Sequence, residues 1–197
     1  MSVNPQRFRQ EPAYTAALIH ALEGDAYNER DGLVSLRSTN IDSIGPGAAE
    51  GWSGADFAIT ATIRDARRSI DKAILVQAKL DDLDDLTSAE HQRLIGQEVR
   101  DMRDLTRSPK VMVAPLVNGI REPRMHSGNR ILEGARPRGQ SLADYVVARI
   151  TPTLDGDTRP KFAEAVQEGT LAKLRVHAEM RGPRVLVLVP ERVKAPV

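Results

Sequence analysis

From residue 56 the chain alternates apolar and polar positions with the period of a β-strand. Phe57, Ile59, Ala61 and Ile63 share one face, and Asp56, Thr60 and Thr62 share the other, because successive strand side chains point to opposite sides. A second run repeats the pattern. Ile74, Val76, Ala78 and Leu80 face one way, while Leu75, Gln77 and Lys79 face the other. The polar segment Arg64 to Lys72 between the runs is long enough for an extended hairpin, which pairs them antiparallel and carries Asp56 towards Gln77 and Lys79. One carboxylate, one amide and one amine are thereby expected on a single polar sheet face, with Asp56 and Lys79 exposed.

Helical spacing appears on both sides of this pair. Tyr14, Ala17, Leu18, Ala21 and Leu22 form an apolar stripe that predicts an early helix. Glu11 falls on the stripe, either as an exposed first-turn acid favoured by the helix dipole or as a carboxylate aimed inwards at a site. Glu23 projects from the opposite side and precedes Gly24, which suits a helix end. Further on, Thr87-Ser88-Ala89-Glu90 fits a capping box opening a helix to about Arg107. Its buried stripe is Leu94, Ile95, Val99, Met102 and Leu105, with His91 and Glu98 on or near it.

Lys110 to Val117 reads as the next strand, Ser141 to about Ile150 and Pro160 to about Arg175 as helices, and Arg184 to Val189 as a buried closing strand. The strand, hairpin, helix, strand order predicts an α/β fold with a mixed sheet flanked by helices. A chain of 197 residues can bury one full core. The expected division is a single domain, with a core at about 8–117 and an extension at about 118–197 packed on it.

Composition narrows the chemistry. The formal net charge of +1 gives no broad field for nucleic acid, so any such attraction must be local or come from a partner. With no cysteine there is no thiol nucleophile or thiolate metal site. The four histidines, His20, His91, His126 and His177, lack metal-ligand spacing such as HExxH. No P-loop, G-x-S-x-G elbow or Rossmann glycine pattern is present. The acidic run Leu80 to Leu86 lacks the glycine and terminal glutamate of an EF-hand loop. No signal-peptide core or membrane-length apolar run is seen, so a cytoplasmic protein without membrane contact is expected.

Gly54-Ala55-Asp56 followed by Gln77-Ala78-Lys79, preceded by the loop Gly45 to Glu50 and the helix start Glu11 to Leu18, resembles the PD-(D/E)XK nuclease superfamily. The likeness is to its D...QxK branch, as in Mrr-like restriction and phage-defence endonucleases. It covers roughly the first 115 residues, with a motif spacing that is longer than in many members and that the basic hairpin would absorb. The resemblance implies a restriction-endonuclease-like mixed central sheet flanked by helices. It also implies a metal-dependent endonuclease that hydrolyses DNA phosphodiester bonds in restriction or anti-phage defence, using Mg²⁺, for which Mn²⁺ can substitute.

On that reading Asp56 is the main metal ligand, Glu11 or Glu50 adds a second carboxylate, and Gln77 and the Ala78 carbonyl supply further oxygens. Lys79 positions the attacking water and stabilises charge building on phosphate. Glu50 could instead be a solvated loop acid, and Gln92 or Gln97 could support the site from the later helix. Arg121, Arg124, His126, Arg130, Arg136 and Arg138 either follow a DNA phosphate backbone or line an ordinary surface loop. Analogy adds a homodimer and a defence-system partner protein. The alternative is a catalytically inactive nuclease-fold module that binds nucleic acid or assembles into a defence complex.

Overall fold

The computed structural model describes residues 11–22, 24–28, 32–41, 49–66, 69–80, 89–118, 120–135, 139–152, 154–169 and 171. The two alternating runs are strands β3 (Phe57–Arg64) and β4 (Ser69–Lys79), paired antiparallel from Phe57↔Val76 to Arg64↔Ser69. Before them come helix α1 (Glu11–Leu22), strands β1 (Gly24–Asn28) and β2 (Gly32–Asn40), and the helical turn α2 (Ala49–Ser53). Helix α3 (Ala89–Leu105) then leads to β5 (Lys110–Val113), which lies parallel to β4. A parallel neighbour requires such a crossover, since a tight turn can only reverse the chain.

Beyond β5 the chain adds β6 (Leu116–Val117), β7 (Ile120–Arg121), β8 (Arg124–Ser127), α4 (Gly128–Leu132), β9 (Gln140–Ser141), α5 (Leu142–Tyr145), a π-helical turn at Val146–Ile150 and α6 (Pro160–Gln167). The main sheet has the order β1-β2-β3-β4-β5-β8-β9, and β6 and β7 form a separate hairpin. The fold is therefore α/β, a mixed sheet flanked by helices. Among the described residues no helix is long and apolar enough to cross a membrane.

Each face of the sheet is covered by its own apolar cluster. Phe57, Ile59, Ala61, Ile74, Val76 and Ala78 pack with Tyr14 and Leu18 of α1. On the other face Ala58, Ala73, Leu75, Val111 and Val113 pack with Ile95, Val99 and Met102 of α3 and with Phe162 and Val166 of α6. This corrects the expectation of an exposed polar face. The division of residues between faces agrees with the alternation, but α3 and α6 cover the face that carries Gln77 and Lys79.

Other boundaries shift for physical reasons. The strand expected through Val117 ends at Val113, and Pro115, which lacks a donor for the ladder, stands before the β6–β7 hairpin. Leu94, expected in the buried stripe of α3, is exposed. The helix expected to Arg175 ends at Gln167, and Gly169 follows with φ 67, a left-handed backbone typical just past a helix. The predicted closing strand at 184–189 lies outside the described residues.

Buried charges fasten residues 150–159 to the core. The Lys72 amine, deep under the sheet, donates to the carbonyls of Ile150 and Asp155. Lys110 Nζ lies 2.6 Å from Asp155 Oδ2, and the Ser108 hydroxyl and Gly156 N–H donate to Asp155 Oδ1. Asp157 exchanges backbone hydrogen bonds with Ala73. Arg159 joins the Asp157 carboxylate at 2.6 Å and donates to the Leu105 carbonyl at the end of α3, where a cation also suits the helix dipole.

Burial alone would push the Asp155 carboxyl up, but the Lys110 ammonium and the hydrogen bonds from Ser108 and Gly156 outweigh it and hold it below the ordinary range. A depressed native value contributes stability above the unfolded-state value, and that contribution is lost as pH falls through the native one. Unfolding midpoints in urea are therefore expected to fall as pH drops below about 4. Asp155→Asn is expected to cost about 1.5–3 kcal/mol at pH 7 and to flatten the acid limb. Identical limbs in variant and wild type would mean that this carboxylate does not hold the extension.

Candidate active site at the ends of β3 and β4

The site arises where two paired strands end out of step. β3 pairs β4 only as far as Phe57↔Val76, while β4 continues to Lys79 beside β5. Past Val76, no strand among the described residues bonds the edge of β4 that faced β3, and an unpaired buried N–H is costly. Asp56 closes that edge. Its N–H donates to the Val76 carbonyl at 3.0 Å, and its Oδ2 accepts the Ala78 N–H at 2.5 Å and Gln77 Nε2 at 2.7 Å. Gln77, only 2 % exposed, also donates to the Ala78 carbonyl at 3.3 Å. Because the N–H and C=O of one strand residue point to the same side, the Ala78 carbonyl shares this edge with Asp56.

Lys79 follows on the face of Gln77. Its Nζ lies 3.2 Å from Glu98 Oε1, with the two side chains 21 % and 30 % exposed. Glu98 comes from α3, and its backbone also meets the loop that delivers Asp56. Gly54 has φ 67, and a Cβ there would stand 2.1 Å from the Glu98 carbonyl oxygen. Buried Ser53 and Ala55 flank it, and Ser53 Oγ accepts the Ala55 N–H at 3.3 Å. Gly54 thus lets the loop turn and lets it lie against the helix.

The end of α1 nearest Tyr14 is tied to the same region. Arg121 Nη1 donates to the carbonyls of Leu80 and Ala114 at 2.9 and 2.8 Å, and its guanidinium lies 5.8 Å from the centre of the Tyr14 ring. Burial pushes the Tyr14 phenol up, with Arg121 opposing. Arg121 thus joins the chain after β4 to the chain after β5 through its Nη1. Arg124 pairs with Glu122 at 3.1 Å, and Arg130 is exposed at the end of α4. His126, placed by sequence among residues that could follow phosphate, is instead buried. Arg136 and Arg138 lie outside the described residues.

Asp56, Gln77, Ala78 and Lys79 are thus brought together. Glu11 stands in the first turn of α1 and Glu50 in α2, but the side chains of both, like that of Gln92, lie outside the described residues, as does Glu23. Gln97 points outward and donates to Asp101 at 2.8 Å. The α3 residue that reaches the site is Glu98, three positions after Ile95 and four before Met102. That helical spacing from two buried neighbours is the signal by which a sequence can find it.

The donor set suits a hard divalent cation. One carboxylate, one backbone carbonyl and one side-chain amide oxygen are ligand types of Mg²⁺ and Ca²⁺. The hydrogen bond from Gln77 to Asp56 shows that the amide reaches the carboxylate, and turning the amide over presents its oxygen there. Among the described residues no three His, Asp or Glu side chains gather into a metal-holding group. A cleft of about 570 Å³ lined by Ser69, Asp71, Pro160 and Glu164 lies at the opposite end of β4, away from this chemistry. Comparison of the chain with known protein families, curated proteins and solved structures finds no match.

Proposed function

We propose that this chain is a metal-dependent endonuclease that hydrolyses DNA phosphodiester bonds at the ends of β3 and β4. The fold assigned to it is restriction-endonuclease-like, and its setting is cytoplasmic restriction or anti-phage defence, with a homodimer cutting the two strands. The observation that carries the reading is the Asp56 carboxylate joined to Gln77 and the Ala78 N–H, with Lys79 next on the same face. The order of helix, antiparallel strands, crossover helix and parallel strand supports it.

Asp56, the Ala78 carbonyl and Gln77 with its amide turned would hold the cation, with Glu11 or Glu50 the candidate second carboxylate. A divalent cation held there, Mg²⁺ or Mn²⁺, would supply Lewis acidity towards a phosphoryl oxygen and a water. The Lys79 ammonium, partly withdrawn from solvent, stands ready for the negative charge that builds on the phosphate, where a preorganised donor acts most strongly.

A second reading has its own support. Hydrogen bonds that close the end of a strand also suit a module that binds nucleic acid or a defence complex without cutting, and an amide in place of an acid weakens metal binding. Supercoiled plasmid, linear duplex and single-stranded DNA incubated with Mg²⁺ or Mn²⁺ decide between them. The wild type is expected to cut, EDTA to stop it, and Lys79→Met to slow it by about 10²–10³-fold. DNA retained in a gel shift without any cutting would favour the binding module.

A further inference from the structure

We infer that Glu98 is a positioning residue for Lys79, and that it sets the spacing between Lys79 and Asp56; the role rests on the nuclease reading. A lysine amine is a compact charge on a long flexible stem, yet a group that stabilises a transition state must be fixed before the reaction begins. Lys79 Nζ meets Glu98 Oε1 at 3.2 Å. Glu98 is itself well anchored, because Ile95, Val99 and Met102 around it on α3 are fully buried.

The same residue touches the other half of the site. Its backbone lies against Gly54, two positions before Asp56, closely enough that a Cβ on Gly54 would stand 2.1 Å from its carbonyl oxygen. The carboxylate of Asp56 and the amine of Lys79 are thereby referred to one point on one helix, through two different atoms of Glu98. A partly exposed ion pair adds little to stability by itself, so a purely structural role predicts almost no consequence of losing the charge.

The test measures kcat, KM and thermal midpoint with Mg²⁺ on the duplex that the wild type cuts. Glu98→Gln is expected to lower kcat by about 10–100-fold with KM and midpoint unchanged. Glu98→Asp, which keeps the charge on a shorter arm, is expected to recover part of the loss. In a Lys79→Arg background Glu98→Gln is expected to have a much smaller effect, because residues acting through one another are not additive.

An undiminished kcat in Glu98→Gln overturns the role, as does an equal loss in both variants accompanied by a lowered midpoint, or an undiminished effect in the Lys79→Arg background. A wild type that cuts no DNA, alongside an Asp56→Asn control that behaves identically, overturns the nuclease reading and the role of Glu98 with it. A wild type that cuts while Glu98→Gln cuts equally well overturns the role alone.

Discussion

Asp56→Asn is expected to bring DNA cleavage down to the level of the EDTA control while the fold is kept. Asp56→Ala is expected to lose cleavage and about 1–3 kcal/mol of stability as well. The difference follows from the two tasks of one side chain. Asp56 Oδ2 accepts the Ala78 N–H at 2.5 Å and Gln77 Nε2 at 2.7 Å, at an edge of β4 that no strand among the described residues covers. Asparagine keeps an acceptor oxygen for the backbone N–H but not the charge that a divalent cation requires. Alanine leaves a buried donor without a partner. Plasmid cleavage and urea unfolding of the three proteins check both statements. Cutting by the asparagine variant would remove Asp56 as a ligand, and equal stability of all three would show that water satisfies the Ala78 N–H.

The same geometry shows what a sequence can and cannot disclose. Alternation identifies which residues share a face, so Gln77 and Lys79 could be placed together and opposite Ala78 from the sequence alone. It does not identify what lies over that face. The clue was Ala58, Ala73 and Leu75 among the polar positions, for these need cover, and α3 and α6 supply it. Strands β1 and β2 carry little such alternation, since Arg37, Ser38, Thr39 and Asn40 are polar in succession. The second of them is held by pairing with β3 along its whole register from Leu33↔Arg64 to Asn40↔Phe57, a long-range term that propensity does not contain. β8 was hidden in the same way among the turn-rich residues after Asn118, and finds its place by pairing with β5. Glu98 escaped as a site residue because a polar side chain beside an apolar stripe resembles any solvated flank until the neighbouring strand is known.

Gly54→Ala tests whether that loop-to-helix contact governs the site, and its expected cost is about 2–5 kcal/mol with most of the cleavage activity. Two effects add. The φ of 67 is a left-handed backbone that a side chain adopts reluctantly, and the new Cβ would stand 2.1 Å from the carbonyl oxygen of Glu98. A flexible side chain could swing away from such an overlap, whereas a helix carbonyl cannot move without α3. Displacing α3 moves Glu98, and with it the anchor of Lys79, while the loop on the other side carries Asp56. Gly134→Ala separates the two effects, for Gly134 has φ 70 but, among the described residues, nothing within 4 Å of a Cβ. It is expected to cost only the backbone share, about 1–2 kcal/mol, and to leave cleavage intact. Denaturant unfolding and cleavage rates of the two variants side by side give the answer. If they are equally stable and equally active, α3 is free to shift, and Gly54 marks only a turn in the chain; if Gly54→Ala alone loses both, the glycine before Asp56 is the hinge on which strand, loop and helix are held in register.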